Sequence, residues 1–247
     1  MIAILQWGTL VICSVVLLLR VPDAVRGRNR TVFGILVLAT LCSLLSVPGP
    51  YEAIDEALGG WNLAHLLLRF LVFAAVLLVG LRVARGLGDP RGYRLIAGPA
   101  GRWALAVSSV AVAATFALMD TRGSSVGLLD IADNGGQNAV LAPFYAAAGR
   151  TYPAFVSLAL LPALLVTARS QLPRMVRSGA YLTCVGAVAA VLGIPASFAT
   201  GAWVPAQQTV NYLAVLGYVL GLGLFWVSGL VAKKSGNARA TFRKNNG

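Results

Sequence analysis

Arg69 and His65 are the residues of this chain whose types and spacing best suit chemistry inside an apolar segment. They lie four residues apart within the apolar run 63–81, and residues at this spacing share one face of a helix. Arg69 would lie about 9 Å from the start of that helix, at 1.5 Å per residue. If the run crosses a membrane, a charge at this depth is costly, which makes Arg69 a candidate functional residue.

Two interpretations of Arg69 are open at this point. Its side chain could extend toward the membrane surface and pair with Asp55, Glu56 or Asp120, which would brace the outer end of a helix bundle. Alternatively, Arg69 could contact an anion or a transported substrate, with His65 as a proton-linked group. Arg69, His65, Asp55, Glu56 and Asp120 are together the candidate ligand or structural polar site.

Motifs for catalysis and for cofactor binding are absent from the sequence. It contains no His-Glu-x-x-His, no Gly-x-Ser-x-Gly and no phosphate loop, and its single histidine leaves little for acid–base chemistry. Cys13, Cys42 and Cys184 fall inside apolar runs, which favours packing over disulfides or a metal site. The last apolar run has no lysine before Lys233, which excludes a retinal Schiff base. We therefore expect no enzyme, no metal and no cofactor.

The composition indicates a membrane protein. Apolar residues make up 58% of the chain and charged residues only 11%, against roughly 25% charged in soluble domains. Runs long enough to cross about 30 Å of hydrocarbon as helices recur along the chain. They cover residues 2–19, 31–47, 63–81, 103–119, 152–168, 179–199 and 209–232. The prediction is an all-α, polytopic bundle of seven transmembrane helices in residues 1–232, followed by a short basic tail at 233–247.

The charges predict the orientation of this bundle. Most of the twenty Lys and Arg residues lie in the gaps after the first, third and fifth runs and in the tail, whereas the other gaps are mainly acidic. Because basic residues near helix ends stay in the cytoplasm, we expect the N-terminus outside and the C-terminus inside the cell membrane. The net charge of +12 then favours anionic lipids of the inner leaflet, or a protein partner at the cytoplasmic loops or tail, over nucleic acid.

The gaps and the later runs suggest a few local features. Residues 50–59 have a proline at a plausible first helical position and a glycine stop, which predicts a short helix on the outer surface. Residues 130–136 resemble a calcium loop but lack the ligands of one, so an Asn-Gly turn is expected. The fifth run is expected to begin earlier, near Ala142. Gly217 and Gly221 form a small-xxx-small pair that allows close helix packing.

Three segments carry a resemblance to a protein family. They are residues 47–55 (Val-Pro-Gly-Pro-Tyr-Glu-Ala-Ile-Asp), residues 60–64 (Gly-Trp-Asn-Leu-Ala) and the basic gap 26–30. The chain resembles uncharacterised actinobacterial seven-helix membrane proteins, described as putative transporters or integral membrane regulators. The resemblance implies the fold over the whole helical region but no catalytic residue. The chain departs from that pattern after the seventh helix, where a cytoplasmic domain is usual and only residues 233–247 remain.

Two classes of function follow from these observations. The first is a non-catalytic sensor, regulatory or partner-binding component of the membrane. The second is a small-molecule transporter with an outer vestibule near Arg69 and His65, in which Pro162 and Pro195 kink moving helices. The sequence shows no inverted repeat and no acidic residue at mid-membrane depth, which favours the first class.

Overall fold

A computed structural model of the protein describes residues 2–26, 30–121, 136–199 and 203–245. The described residues form helices and turns without strands, which confirms the all-α prediction. In chain order the helices are α1 (Ile2–Val25), α2 (Arg30–Leu44), α3 (Pro48–Ala57), α4 (Leu63–Gly86), α5 (Pro90–Ala97), α6 (Pro99–Leu118), α7 (Gly136–Arg169), α8 (Arg174–Ala196) and α9 (Val204–Asn245).

Five helices in the described part of the chain are long and apolar enough to cross a membrane. They are α4, α6, α7, α8 and the segment Pro205–Gly229 of α9. Helices α2 and α3 meet at 91° and add a sixth span if the pair is one broken segment, whereas the apolar part of α1, Gln6–Pro22, is shorter. The all-α bundle with several long apolar helices is compatible with a membrane protein. Seven spans and the orientation of the termini remain predictions.

Helix α3 is the short helix that the sequence predicts around residues 50–59. It begins at Pro48, so that a proline occupies the first turn, where its missing N–H costs nothing. It ends before Gly59 and Gly60, which both have positive φ angles (104° and 71°) that favour glycine. The predicted turn at residues 130–136 lies outside the described residues except for Gly136.

Helix α5 was not predicted, because its basic residues resemble an ordinary cytoplasmic gap. Asp89 accepts a hydrogen bond from the Arg91 N–H at 3.1 Å and Pro90 opens the helix, which are standard N-terminal signals. Ile96 is buried in the core, while Arg91 and Arg94 are exposed. This core lies between α4, α5, α6 and α7, and its largest fully buried members include Phe73, Val112, Tyr152, Leu160 and Leu164.

Helix α7 begins at Gly136, six residues before the predicted start near Ala142, and Gly149 and Arg150 do not interrupt it. It has 34 residues and contains Pro143, Pro153 and Pro162. At 1.5 Å per residue it is about 51 Å long, well beyond the ~30 Å hydrocarbon core. Arg150 is therefore a residue of a long helix and not of an outer loop.

Helices α8 and α9 pack closely because glycines line their contact. Gly217 lies against α8, where a Cβ on it would come within 2.8 Å of the Leu182 carbonyl oxygen. A Cβ on Gly221 would lie 2.7 Å from the Gly179 carbonyl oxygen and would also strike the Thr183 hydroxyl. The two glycines of the small-xxx-small pair thus face the neighbouring helix of the same chain. Helix α9 continues to Asn245, so the backbone of most of the expected tail is helical.

Candidate functional site

The entrance to α4 is built around Asp55, a carboxylate of α3 with no exposed surface. Its two oxygens accept hydrogen bonds from the backbone N–H groups of Asn62 and Ala64, each at 3.0 Å. The first N–H groups of a helix have no partner within the helix, and they lie at its positive end, which favours a carboxylate. Asp55 therefore caps α4 from a neighbouring helix.

Asn62 joins this cap to the next segment of the chain. Its φ of 54° is left-handed, a conformation that asparagine tolerates better than most residues. The Tyr51 hydroxyl donates to Asn62 Oδ1 at 2.7 Å, and Asn62 Nδ2 donates to the Thr121 carbonyl at 3.0 Å. The segments 47–55 and 60–64 thus supply Tyr51, Asp55 and Asn62 to one buried network.

Among the residues that the structure describes, no ion pair joins Arg69 to any of the three acidic candidates, and the pairing interpretation remains a prediction. Asp55 faces the α4 backbone, and Glu56 is exposed. Asp120 is held at its backbone, where its N–H donates to Asn138 Oδ1 at 2.9 Å and its carbonyl accepts from Asn138 Nδ2 at 2.8 Å. The cap accounts for the missing ion pair between Asp55 and Arg69. It holds the carboxylate at the N–H of Ala64, which is five residues, or about 7.5 Å of helix, before Arg69.

Arg69 instead points to α7. Its guanidinium carbon lies 5.3 Å from the centroid of the Tyr145 ring, a cation–π distance. A Cβ on Gly149 would lie 2.9 Å from the Nη1 atom of Arg69, so the guanidinium packs directly against this glycine. The Nε atom is buried and has no hydrogen-bond partner among the described residues. Arg69 therefore keeps unused donor capacity inside the bundle.

His65 lies on the same side of α4 and also contacts Tyr145. The two ring centroids are 5.7 Å apart, and His65 is buried with 7% of its surface exposed. Its Nδ1 atom has no hydrogen-bond partner within the described part of the chain. The structure thus brings Arg69 and His65 together on one aromatic residue of α7.

Arg150 is the site residue that the sequence did not single out. Its Nη1 atom donates to the Gly193 carbonyl at 3.2 Å and to the Ser197 hydroxyl, and its Nη2 atom donates to Asn211 Oδ1 at 3.1 Å. These acceptors are neutral and belong to the end of α8 and to α9. The available signal was the apolar sequence on both sides of Gly149 and Arg150, which is compatible with a continuous helix.

Arg69 and Arg150 lie at one level of the bundle. Arg69 precedes the end of α4 by 17 residues and Arg150 precedes the end of α7 by 19, or about 26 and 29 Å of helix. Arg69 packs on Gly149, the residue that precedes Arg150, so the two arginines are neighbours in the bundle. The site thus presents two guanidinium groups without a carboxylate ion pair among the described residues. It suits an anion, whereas the described residues contain no cluster of ligands for a metal.

Comparison with known proteins finds no family model, no curated protein and no solved structure that matches this chain.

Proposed function

We propose that the protein is a non-enzymatic integral membrane component that binds a small anion in the outer half of its helix bundle. The observation that carries this proposal is the pair of arginines, Arg69 and Arg150, at one depth and without a carboxylate partner in the described part of the chain. An uncompensated charge away from water is costly, and a bound anion would offset that cost.

The chemistry of the donors favours an oxyanion. A guanidinium presents planar donors that match two oxygens of a carboxylate, phosphate or sulfate. The two terminal nitrogens of Arg150 are already used, while the Nε of Arg69 is not. Arg69 is therefore the expected contact to the ligand, and Arg150 contributes its charge while holding α7 against α8 and α9.

A sensor, regulatory or partner-binding role fits the connection between this site and the C-terminal segment. Asn211 accepts from Arg150 and lies on α9, the helix that continues to Asn245. An anion that changes the position of Arg150 would act on the same helix that carries the basic residues 233–244. We infer that the chain lies in the bacterial plasma membrane with its C-terminus inside the cell. A cytoplasmic partner that binds this segment would then receive the signal.

Transport is the second candidate, and the prolines favour it. Helix α7 contains three prolines, and Pro195 of α8 lies between Gly193 and Ser197, which both accept from Arg150. Prolines remove helix hydrogen bonds and permit bending at the site. In this alternative, Arg69 and His65 line an outer vestibule and the anion crosses the membrane. Uptake of the anion into proteoliposomes that contain the purified chain would distinguish transport from sensing.

The regulatory proposal is tested by crosslinking and affinity purification from native membranes. The tagged full chain is compared with a chain that lacks residues 233–247 and with Arg69→Gln. We expect a specific soluble partner that is lost with the C-terminal segment and whose recovery changes in Arg69→Gln. A partner set that is identical for all three chains would contradict the proposal.

A further inference from the structure

A basic groove opens where α7 ends and α8 begins. Its volume is about 590 Å³. It is lined by Arg174, Arg177, Ser178 and Tyr181, with Ala168 and Leu182. These residues include two cations and no acid. The groove lies at the end of the bundle that the charge pattern assigns to the cytoplasm.

The orientation of Arg177 leaves donors for a ligand. Its Nε atom donates to the Ala168 carbonyl at 3.3 Å, which fixes the guanidinium at the edge of the groove. The terminal nitrogens have no acceptor among the described residues, and Arg174 is exposed on the same turn of α8. Two guanidinium groups so placed can bind a phosphate through several charge-assisted hydrogen bonds.

An apolar groove begins at the same tyrosine. It lies between α7, α8 and α9 and has a volume of about 330 Å³. Its wall includes Leu161, Leu165, Val185, Val188, Leu192 and Leu213. Tyr181 lines both grooves. From Tyr181 to Leu192 the apolar groove follows about 16 Å of helix, close to the ~15 Å half-thickness of a bilayer core.

We propose that the two grooves together form a binding site for one anionic phospholipid of the inner leaflet. The phosphate contacts Arg174 and Arg177, Tyr181 lies at the interface, and an acyl chain lies along α8. The apolar continuation identifies the occupant as a lipid, because a free phosphate has nothing to place there. This site is separate from the pair formed by Arg69 and Arg150.

The test measures lipid binding to the purified full chain by native mass spectrometry in detergent. Phosphatidylglycerol is compared with phosphatidylcholine for the wild type, for Arg174→Gln/Arg177→Gln and for the matched control Arg91→Gln/Arg94→Gln. The control removes the same charge from exposed positions of α5. We expect the wild type and the control to prefer phosphatidylglycerol, and the α8 variant to lose at least about tenfold in affinity. Equal affinity in all three proteins would overturn the proposal.

The acyl groove is tested separately with Val188→Trp and Leu192→Trp, which place a large side chain in it. Both positions are half exposed, so neither substitution opens the core, and retained circular dichroism verifies the fold. We expect weaker binding of phosphatidylglycerol in at least one variant, and inorganic phosphate should bind the wild type far more weakly than the lipid. Phosphate binding as tight as lipid binding, or unchanged lipid binding in both variants, would contradict a lipid site.

Discussion

Arg69 and Arg150 carry the same charge but have different surroundings, and this difference decides what each can do. Arg150 donates to three neutral oxygens on α8 and α9, so it is both satisfied and structural. Arg69 has an aromatic ring and a glycine beside it and keeps an unpartnered Nε among the described residues. The first residue ties helices together, while the second keeps a buried donor without a partner in the described part of the chain.

Replacing each arginine by methionine should therefore have different effects on ligand-free stability. Arg150→Met removes the hydrogen bonds that tie α7 to Gly193, Ser197 and Asn211 and leaves Asn211 Oδ1 without its donor, so we expect it to lower the free energy of unfolding by about 1–3 kcal/mol. Arg69→Met removes an uncompensated charge and should be neutral or stabilising. Thermal unfolding in detergent measures both. A larger loss for Arg69→Met than for Arg150→Met would contradict this assignment.

Asp55 is a negatively charged counterpart of Arg150, because hydrogen-bond partners of the matching kind, here two N–H donors, surround it. Asp55→Ala leaves the Asn62 and Ala64 N–H groups buried without their acceptor, so we expect it to lower the free energy of unfolding by about 1–3 kcal/mol. The neighbouring Glu56→Ala is the control. Glu56 is exposed, so its removal should change the melting temperature little. Equal melting temperatures for the two variants would exclude a capping role for Asp55.

At the scale of helices, the close contact between α8 and α9 depends on glycines. Gly221→Ala would press a methyl group on Gly179 and Thr183, and we expect a loss of about 1–3 kcal/mol from such overpacking. Gly223→Ala is the matched control, since no described atom lies within 4 Å of the position that its added methyl group would take, and alanine favours a helix. Chemical or thermal unfolding of both variants measures the difference. A loss in Gly223→Ala as large as in Gly221→Ala would contradict the packing described above.

Sequence patterns predict some of these elements well and others poorly. Helices α4, α6 and α8 contain the predicted runs to within a few residues, because uninterrupted apolar sequence must be helical in a membrane. Helix α5 was missed, since Arg91 and Arg94 have the composition of a gap, whereas α7 begins only six residues before the predicted start near Ala142.

The site was predicted in part for a related reason. Spacing alone places His65 and Arg69 on one face of α4. The partners of Arg69 are Tyr145 and Gly149, some eighty residues further along the chain. Such tertiary contacts leave no periodic signal in a single sequence. The sequence therefore gave no reason to reject an ion pair between Arg69 and an acidic residue. Only the structure shows that the Asp55 carboxylate accepts hydrogen bonds from the start of α4.

At the scale of the whole molecule, the number of spans decides on which side each terminus lies. Five or seven spans place the termini on opposite sides of the membrane, and six place them on the same side. We predict seven, with α1 and the bent pair of α2 and α3 each crossing once. Reporter fusions should then show residues 58–60 outside and residues 87–89 and Asn245 inside. A C-terminal reporter on the outer side would contradict this topology.

The measurement that tests anion binding most directly is the thermal stability of the purified chain in sulfate, phosphate or acetate, with chloride as the reference at constant ionic strength. Every variant is made in an Arg174→Gln/Arg177→Gln background, so that anions do not bind at the basic groove. In this background, Arg69→Gln is compared with Arg102→Gln, a control at an exposed position. A ligand at a hundred times its Kd stabilises by about 2.7 kcal/mol. We predict a saturable rise in melting temperature with at least one oxyanion, kept in Arg102→Gln and lost in Arg69→Gln. The same rise in Arg69→Gln, or no rise with any of these anions, would contradict the account.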